Sequence, residues 1–273
     1  MTVRDSMRKK PTIRDLLNLK GKRQLTEVFV STAEEAAACE EAGIDMLVTR
    51  AVWAAEIRRA APAAFLTVSM PVHGAVSDAE AIRLGLENMS LGADAVYTGV
   101  SLERVRAMTR EHIPVVGHVG LVPYRSSWYG GLRPVGKTSE EALQVYRETL
   151  AYQEAGAIGV EMELVPRRVA SEISRRVGIL VISMGSGSGG SAQYLFACDI
   201  LGTEKGHIPR HAKVYRNLAA EYDRLQRERV SAFREFKADV DSGAFPEDRH
   251  CVEIAGGEFE DFLRGIEAAA PPR

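Results

Sequence analysis

Apolar positions along this chain come in short unbroken runs, each entered through a helical stretch and a small residue or glycine. Glu41-Ala42-Gly43 leads into 44–48, Leu91-Gly92-Ala93 into 95–98, Glu154-Ala155-Gly156 into 158–163, and Arg176-Val177-Gly178 into 179–184. A glycine just past a helix supplies a left-handed cap at little steric cost. The runs are continuous rather than alternating, as expected of parallel strands covered on both faces. They predict strands over 25–30, 45–49, 65–70, 95–99, 114–118, 158–163, 179–185 and 193–197. Helical periodicity fills 77–91, 139–154 and 166–177 between them. Eight β-runs alternating with helices predict an α/β fold of the (β/α)8 TIM barrel type, with a doubly wound open sheet as the competing reading. A long polar helix follows over about 211–242, then a short helix within 256–273 that frays at Pro271-Pro272. No linker rich in Pro, Gly or Ser divides the chain. The pattern therefore predicts one domain over 1–273, with 214–273 as a C-terminal helical extension.

Composition narrows the function classes. The 273 residues suit a barrel, which needs about 250. A formal net charge of -2 gives no basic footprint for nucleic acid. No apolar run approaches the roughly 20 residues that span a bilayer. The N-terminal residues carry no apolar signal segment, and the odd, widely spaced cysteines Cys39, Cys198 and Cys251 suit reduced thiols, so a cytoplasmic protein is expected. None of the three has the spacing of a zinc site.

Active sites of parallel barrels lie at the C-terminal strand ends, so the residues there carry the chemistry. His118, in Val116-Gly117-His118-Val119-Gly120-Leu121, stands at the expected mouth. It is either a proton donor to a substrate oxygen or a structural histidine. Glu161 and Glu163 share a strand face, which suggests acid/base work or a metal, against a pair of structural ion-pair partners. Ser183-Met184-Gly185-Ser186-Gly187-Ser188-Gly189-Gly190-Ser191 offers N–H groups and hydroxyls that could cradle a carboxylate or phosphate, against an unliganded loop. Tyr124 to Gly131 reads as an aromatic lid or a subunit contact. The basic cluster around His207 to Lys213 is a weak signal on its own.

Together these stretches resemble the ketopantoate hydroxymethyltransferase family, related to isocitrate lyase and phosphoenolpyruvate mutase. Gly117-His118-Val119-Gly120-Leu121 with Pro123 resembles its Gly-His-x-Gly-Leu-x-Pro signature. Glu163-Leu164-Val165-Pro166 resembles the strand end that bears its catalytic carboxylate, and Gly185-x-Gly187 its Gly-x-Gly turn. Asp199-Ile200-Leu201-Gly202, Pro209-Arg210-His211-Ala212-Lys213 and Ser242-Gly243-Ala244-Phe245-Pro246 continue the match. The resemblance implies a small 2-oxo acid substrate, methylenetetrahydrofolate as donor, a divalent metal such as magnesium, and a homo-oligomer.

The first half departs from the family. The aspartate that the family places after the second strand is Arg50 here, and that after the third is Ser69. The family's lysine and glutamate on the fourth strand fall on Tyr97 and Gly99. Hard cations need several oxygen ligands, and Arg50 reverses the local charge, so no metal ligand is assigned. Glu163 and His118 are expected to be catalytic, and Arg50, Ser69, Tyr97, Glu161, Ser183 and Gly185 to bind substrate. In one reading Arg50 takes the cation's place by binding a substrate carboxylate. In another, Glu161 pairs internally with Arg50. The expected reaction makes or breaks a carbon–carbon bond beside a carbonyl of a small carboxylate, without the family's metal. A non-catalytic binder and a true family enzyme with relocated metal ligands are the alternatives.

Overall fold

The eight apolar runs form eight parallel strands that close on themselves in sequence order in a computed structural model, which describes residues 9–71 and 74–269. The strands are β1 (Leu25–Phe29), β2 (Met46–Arg50), β3 (Phe65–Ser69), β4 (Ala95–Tyr97), β5 (Val115–Gly120), β6 (Gly159–Glu163), β7 (Leu180–Met184) and β8 (Ala192–Phe196). The fold is a (β/α)8 barrel; the open-sheet reading fails because β1 pairs with β8 over all five residues. Each strand is covered on two faces. One face joins the interior set of Leu25, Met46, Phe65, Ala95, Val116, Leu180 and Ile182. The other packs under the surrounding helices. This double burial is why the runs are continuously apolar.

The helix α1 (Ile13–Leu19) precedes β1 and begins with a capping box between Thr12 and Asp15. Its Leu16 belongs to the interior set, so the helix stoppers the N-terminal end of the barrel. The connecting helices are α2 (Ala33–Glu41), α3 (Ala51–Ala60), α4 (Asp78–Ser90), α5 (Leu102–Arg110), α6 (Ser139–Glu154) and α7 (Arg167–Arg176), with α8 (Ala197–Leu201) after β8. With one end plugged and the wall covered, the opening is at the C-terminal strand ends.

No helix lies between β7 and β8 among the described residues. Parallel strands ordinarily need a crossover of a dozen residues or more. Here residues 185–191 return the chain to the start of β8 in a tight descent along α7. Glycine makes that approach possible: a Cβ on Gly189 would stand 1.9 Å from Oγ of Ser171, and one on Gly187 2.6 Å from Cβ of Arg167. The loop's polar groups bond to the barrel wall. The Ser186 hydroxyl donates to the Met162 carbonyl and accepts from the Val165 N–H.

The C-terminal region corrects two expectations. The chain forms two compact units, 1–217 and 218–273, rather than one domain. The long helix α9 (Leu218–Ser242) starts later than its polar pattern suggests. The preceding residues are held elsewhere: the Tyr215 N–H donates to the Ile200 carbonyl, and the Arg216 carbonyl lies against Gly202, which ends α8 at a φ of 64°. The second unit also contains α10 (Gly256–Ala269); Pro271 and Pro272 lie outside the described residues.

The close approach at residue 189 is testable. Gly189→Ala should destabilise the chain by about 1–3 kcal/mol, because backbone and Ser171 must both move. Gly257→Ala, with open space around it, should cost nothing comparable. Urea denaturation of the two variants checks this; equal midpoints would contradict the compact return.

Candidate active site

A cavity of about 550 Å³ opens at the C-terminal strand ends. Alternation of side chains decides what enters it. On β5, Val116 and His118 point inward; on β6, Glu161 and Glu163 do; on β2, β3 and β4 the inward series end in Arg50, Ser69 and Tyr97. All six polar residues among these line the cavity. Ladder pairing sets them side by side: Arg50 opposite Ser69, Ser69 opposite Tyr97, and His118 opposite Glu161.

The wall formed by β4 to β6 is a connected hydrogen-bond system. Nδ1 of His118 lies 2.6 Å from the Tyr97 hydroxyl, and Nε2 lies 3.2 Å from Oε2 of Glu163 and 3.8 Å from Oε1 of Glu161. His118 and Glu161 are each only 6% exposed. Burial opposes protonation of His118, but the carboxylates of Glu161 and Glu163 outweigh it and hold the imidazole above its ordinary pKa. As an imidazolium it donates through both ring nitrogens, to the Tyr97 oxygen and to Glu163. The Tyr97 hydroxyl in turn donates to Glu161. Burial raises the Glu161 carboxyl, and His118 pulls it back.

Backbone geometry makes this wall possible. Gly120 has a φ of 84°, and a Cβ there would stand 2.4 Å from the Glu163 carbonyl. Only glycine lets β5 run so close to the end of β6. Leu164, directly after Glu163, has a φ of 49°. Such a conformation costs a β-carbon residue roughly 1–3 kcal/mol. It is fixed by its N–H donating to the Met184 carbonyl and its own carbonyl accepting from Val135.

The opposite wall carries Arg50, which caps the start of α3. Its guanidinium lies 5.6 Å from the centre of the Trp53 ring, and among the described residues it makes no ion pair. The expected Arg50–Glu161 pair is therefore a correction: Glu161 turns to His118 and Tyr97 instead. Ser183 and Gly185 are also corrected. Ser183 lies on the outer face of β7, between inward Ile182 and Met184. Its hydroxyl donates to the Gly187 carbonyl and accepts from the Ser186 N–H, so it braces the return loop rather than the cavity. Gly185 sits where a Cβ would collide with Leu164 and His211, and its role is spatial.

The expected lid is a short 3-10 segment, Pro123–Tyr129, tied down by the Tyr124 hydroxyl donating to the Gly99 carbonyl. Pro123 and Tyr124 line the cavity, whereas Trp128 is 88% exposed.

Three further polar residues were not assigned to the site from the sequence. Asp199 and His211 line the cavity from the segment after β8. Glu27 points into the barrel from β1, paired in the ladder with Tyr194, and is 3% exposed. The available signal was its parity: it shares a face with Leu25 and Phe29 in an otherwise apolar run.

The resemblance implies a metal held by acids at the ends of strands two and three. The cavity-lining residues of β2 to β4 are Val48, Arg50, Ser69 and Tyr97, followed by Met70, Thr98 and Gly99, with no carboxylate. A hard cation does not fit that side. On the other wall His118, Glu161 and Glu163 each offer a ligand atom, all within 4.8 Å of one another.

Glu27 yields a stability prediction. Burial first, and then the charge of Glu161, push its carboxyl from 4.5 up to about 8. The folded chain thus keeps a proton that the unfolded chain releases above its ordinary carboxylate range. The stability this proton gives is full below pH 4.5 and is lost as pH rises toward about 8. Glu27→Gln should therefore gain stability over wild type between pH 5 and pH 8, on the order of several kcal/mol. Urea midpoints of both chains at the two pH values test this; a pH-independent difference would refute it.

Comparison with known proteins gives the family. The model of the family described as ketopantoate hydroxymethyltransferase matches residues 49–248. A 3-methyl-2-oxobutanoate hydroxymethyltransferase of Hyperthermus butylicus is 34% identical over 291 residues, covering 96% of this chain and 98% of that protein. One from Deinococcus radiodurans is 37% identical, covering 70% of this chain and 66% of its own. Among solved structures, oxaloacetate acetylhydrolase with 3,3-difluorooxalacetate superposes with a TM-score of 0.53 at 11% identity, over 86% of this chain and 97% of that one, which shows the fold alone. With the family model spanning most of the barrel and a relative matched nearly end to end, the chain belongs to the ketopantoate hydroxymethyltransferase family.

Proposed function

We propose that this chain makes or breaks a carbon–carbon bond next to the carbonyl of a small 2-oxo acid, with Arg50 in place of the family's metal as the cation that receives the substrate. The observation that carries this reading is the division of one cavity into a guanidinium on β2, which makes no ion pair with a described residue, and a hydrogen-bonded acid/base wall on β4 to β6. The relatives named as hydroxymethyltransferases act on 3-methyl-2-oxobutanoate, which has both groups such a cavity suits.

Arg50, with Ser69 beside it, offers a planar fork to the substrate carboxylate. The substrate carbonyl then points toward His118 and Tyr97. When the Nε2–H of His118 turns to that oxygen, Glu163 loses its donor and becomes a free base beside the adjacent carbon. Proton removal leaves an enolate, whose oxygen keeps the imidazolium as donor. Glu161 balances the imidazolium through Tyr97.

A second reading rests on its own observation. His118, Glu161 and Glu163 have the spacing of a three-ligand metal site, as in a family enzyme with relocated ligands. A divalent ion there would polarise the substrate carbonyl.

Two measurements separate these readings. In D2O, 3-methyl-2-oxobutanoate should exchange its C3 proton with the enzyme after EDTA treatment, and Glu163→Gln should slow this at least ~100-fold. Arg50→Ala should raise KM at least ~10-fold, a loss of about 1.4 kcal/mol. Exchange that vanishes with EDTA and returns with Mn2+ favours the second reading. A wild-type chain without exchange under either condition would sink both.

A further inference from the structure

Bond formation beside a carbonyl needs an electrophile as well as an enolate. On the reading above, His118 serves the enolate oxygen, and Glu163 holds the abstracted proton. The oxygen of the incoming electrophile gains an electron pair when the bond forms and must receive a proton there. The same cavity is also lined by the phenols of Tyr124 and Tyr194, by Glu161, already bonded to Tyr97, and by two residues from a different part of the rim, Asp199 and His211.

We propose that Asp199 and His211 are a second acid–base pair, which receives the carbonyl of a small aldehyde co-substrate and protonates its oxygen as the carbon–carbon bond forms.

Three observations converge on this pair. Asp199 comes from the first turn of α8 and is 6% exposed, yet its carboxylate accepts no hydrogen bond from a described residue. Burial raises its pKa, and His211 is the charge that most opposes the rise. Its carboxylate faces the cavity that His211 also lines. His211 reaches the same cavity because residue 185 has no side chain. A Cβ at Gly185, where φ is 69°, would stand 2.8 Å from Cβ of His211 and 2.7 Å from Leu164. The glycine is a seat for the imidazole. Finally, the pair belongs to the segment after β8, whereas the enolate wall belongs to β4 to β6, so two reactants can be held by separate elements of one cavity.

The step balances as follows. Glu163 takes the proton from substrate C3, and the C–H electron pair enters the enolate. C3 attacks the aldehyde carbon, forming the new bond, and the C=O π pair moves onto the aldehyde oxygen. That oxygen takes a proton from the imidazolium of His211, whose charge Asp199 had balanced. Water carries the Glu163 proton back to His211. No oxidant or reductant is consumed, and the product is a hydroxylated 2-oxo acid.

This inference rests on the enolate reading, and a split of half-reactions distinguishes the two. The probes are 3-methyl-2-oxobutanoate and formaldehyde, with C3 proton exchange and product formation followed by NMR. His211→Phe and Asp199→Asn should each lower product formation at least ~100-fold, the scale of lost general acid catalysis, while lowering exchange by less than about threefold. Gly185→Ala should show the same split in weaker form by displacing His211. Product formation at the wild-type rate in both His211→Phe and Asp199→Asn overturns the pair. Parallel loss of exchange and bond formation also overturns it, since that reports a merely structural role. Absence of exchange in the wild-type chain overturns the enolate reading and this inference together.

Discussion

The barrel interior holds three carboxylates, Glu27, Glu161 and Glu163, and among the described residues the imidazole of His118 is the one basic group that pairs with any of them, reaching Glu161 and Glu163. This imbalance organises the site. It holds the His118 imidazole above its ordinary pKa, pushes the Glu27 carboxyl up to about 8, and turns the Tyr97 hydroxyl toward Glu161. Arg50 does not relieve it, because its guanidinium stays at the exposed rim against Trp53. The positive charge at the mouth and the negative charge in the depth therefore remain separate. That separation suits a substrate with an anionic end and a carbonyl end.

Much of this was legible in the sequence, for reasons that follow from strand geometry. Period-two alternation placed Glu161 and Glu163 on one face, and the strand-end position of His118 brought it to the mouth. Arg50, Ser69 and Tyr97 could be aligned because each ends a strand whose run was clear. Ser183 and Gly185 were misread because loop composition suggested an anion cradle. The sequence does not announce that residues 185–191 must carry the chain back without a helix. Glu27 was overlooked because one charge in an apolar run looks like a solvent-facing residue unless its parity is followed. Asp199 and His211 sit in a five-residue helix and an irregular segment, where no periodicity assigns direction.

The family's acids are absent from β2 and β3, while the wall on β5 and β6 retains its signature and carries Glu161 where the resemblance implies an apolar residue. These changes compensate one another in charge. Removing acids and adding a guanidinium on one side makes the mouth more positive; adding a carboxylate on the other makes the depth more negative. The cavity keeps its two reactive ends while exchanging the chemical species that supply them.

The tight return between β7 and β8 bears on how this barrel can diversify. In most such barrels each of the eight rim loops can lengthen or change without disturbing the cylinder. Here one of the eight is pinned by Ser183 and Ser186 from within and by α7 from outside. An insertion there would have to dislodge a helix. New specificities in chains built this way must therefore be written into the strand ends and the other seven rim segments. Substitutions that alter the reaction are confined to about seven-eighths of the rim.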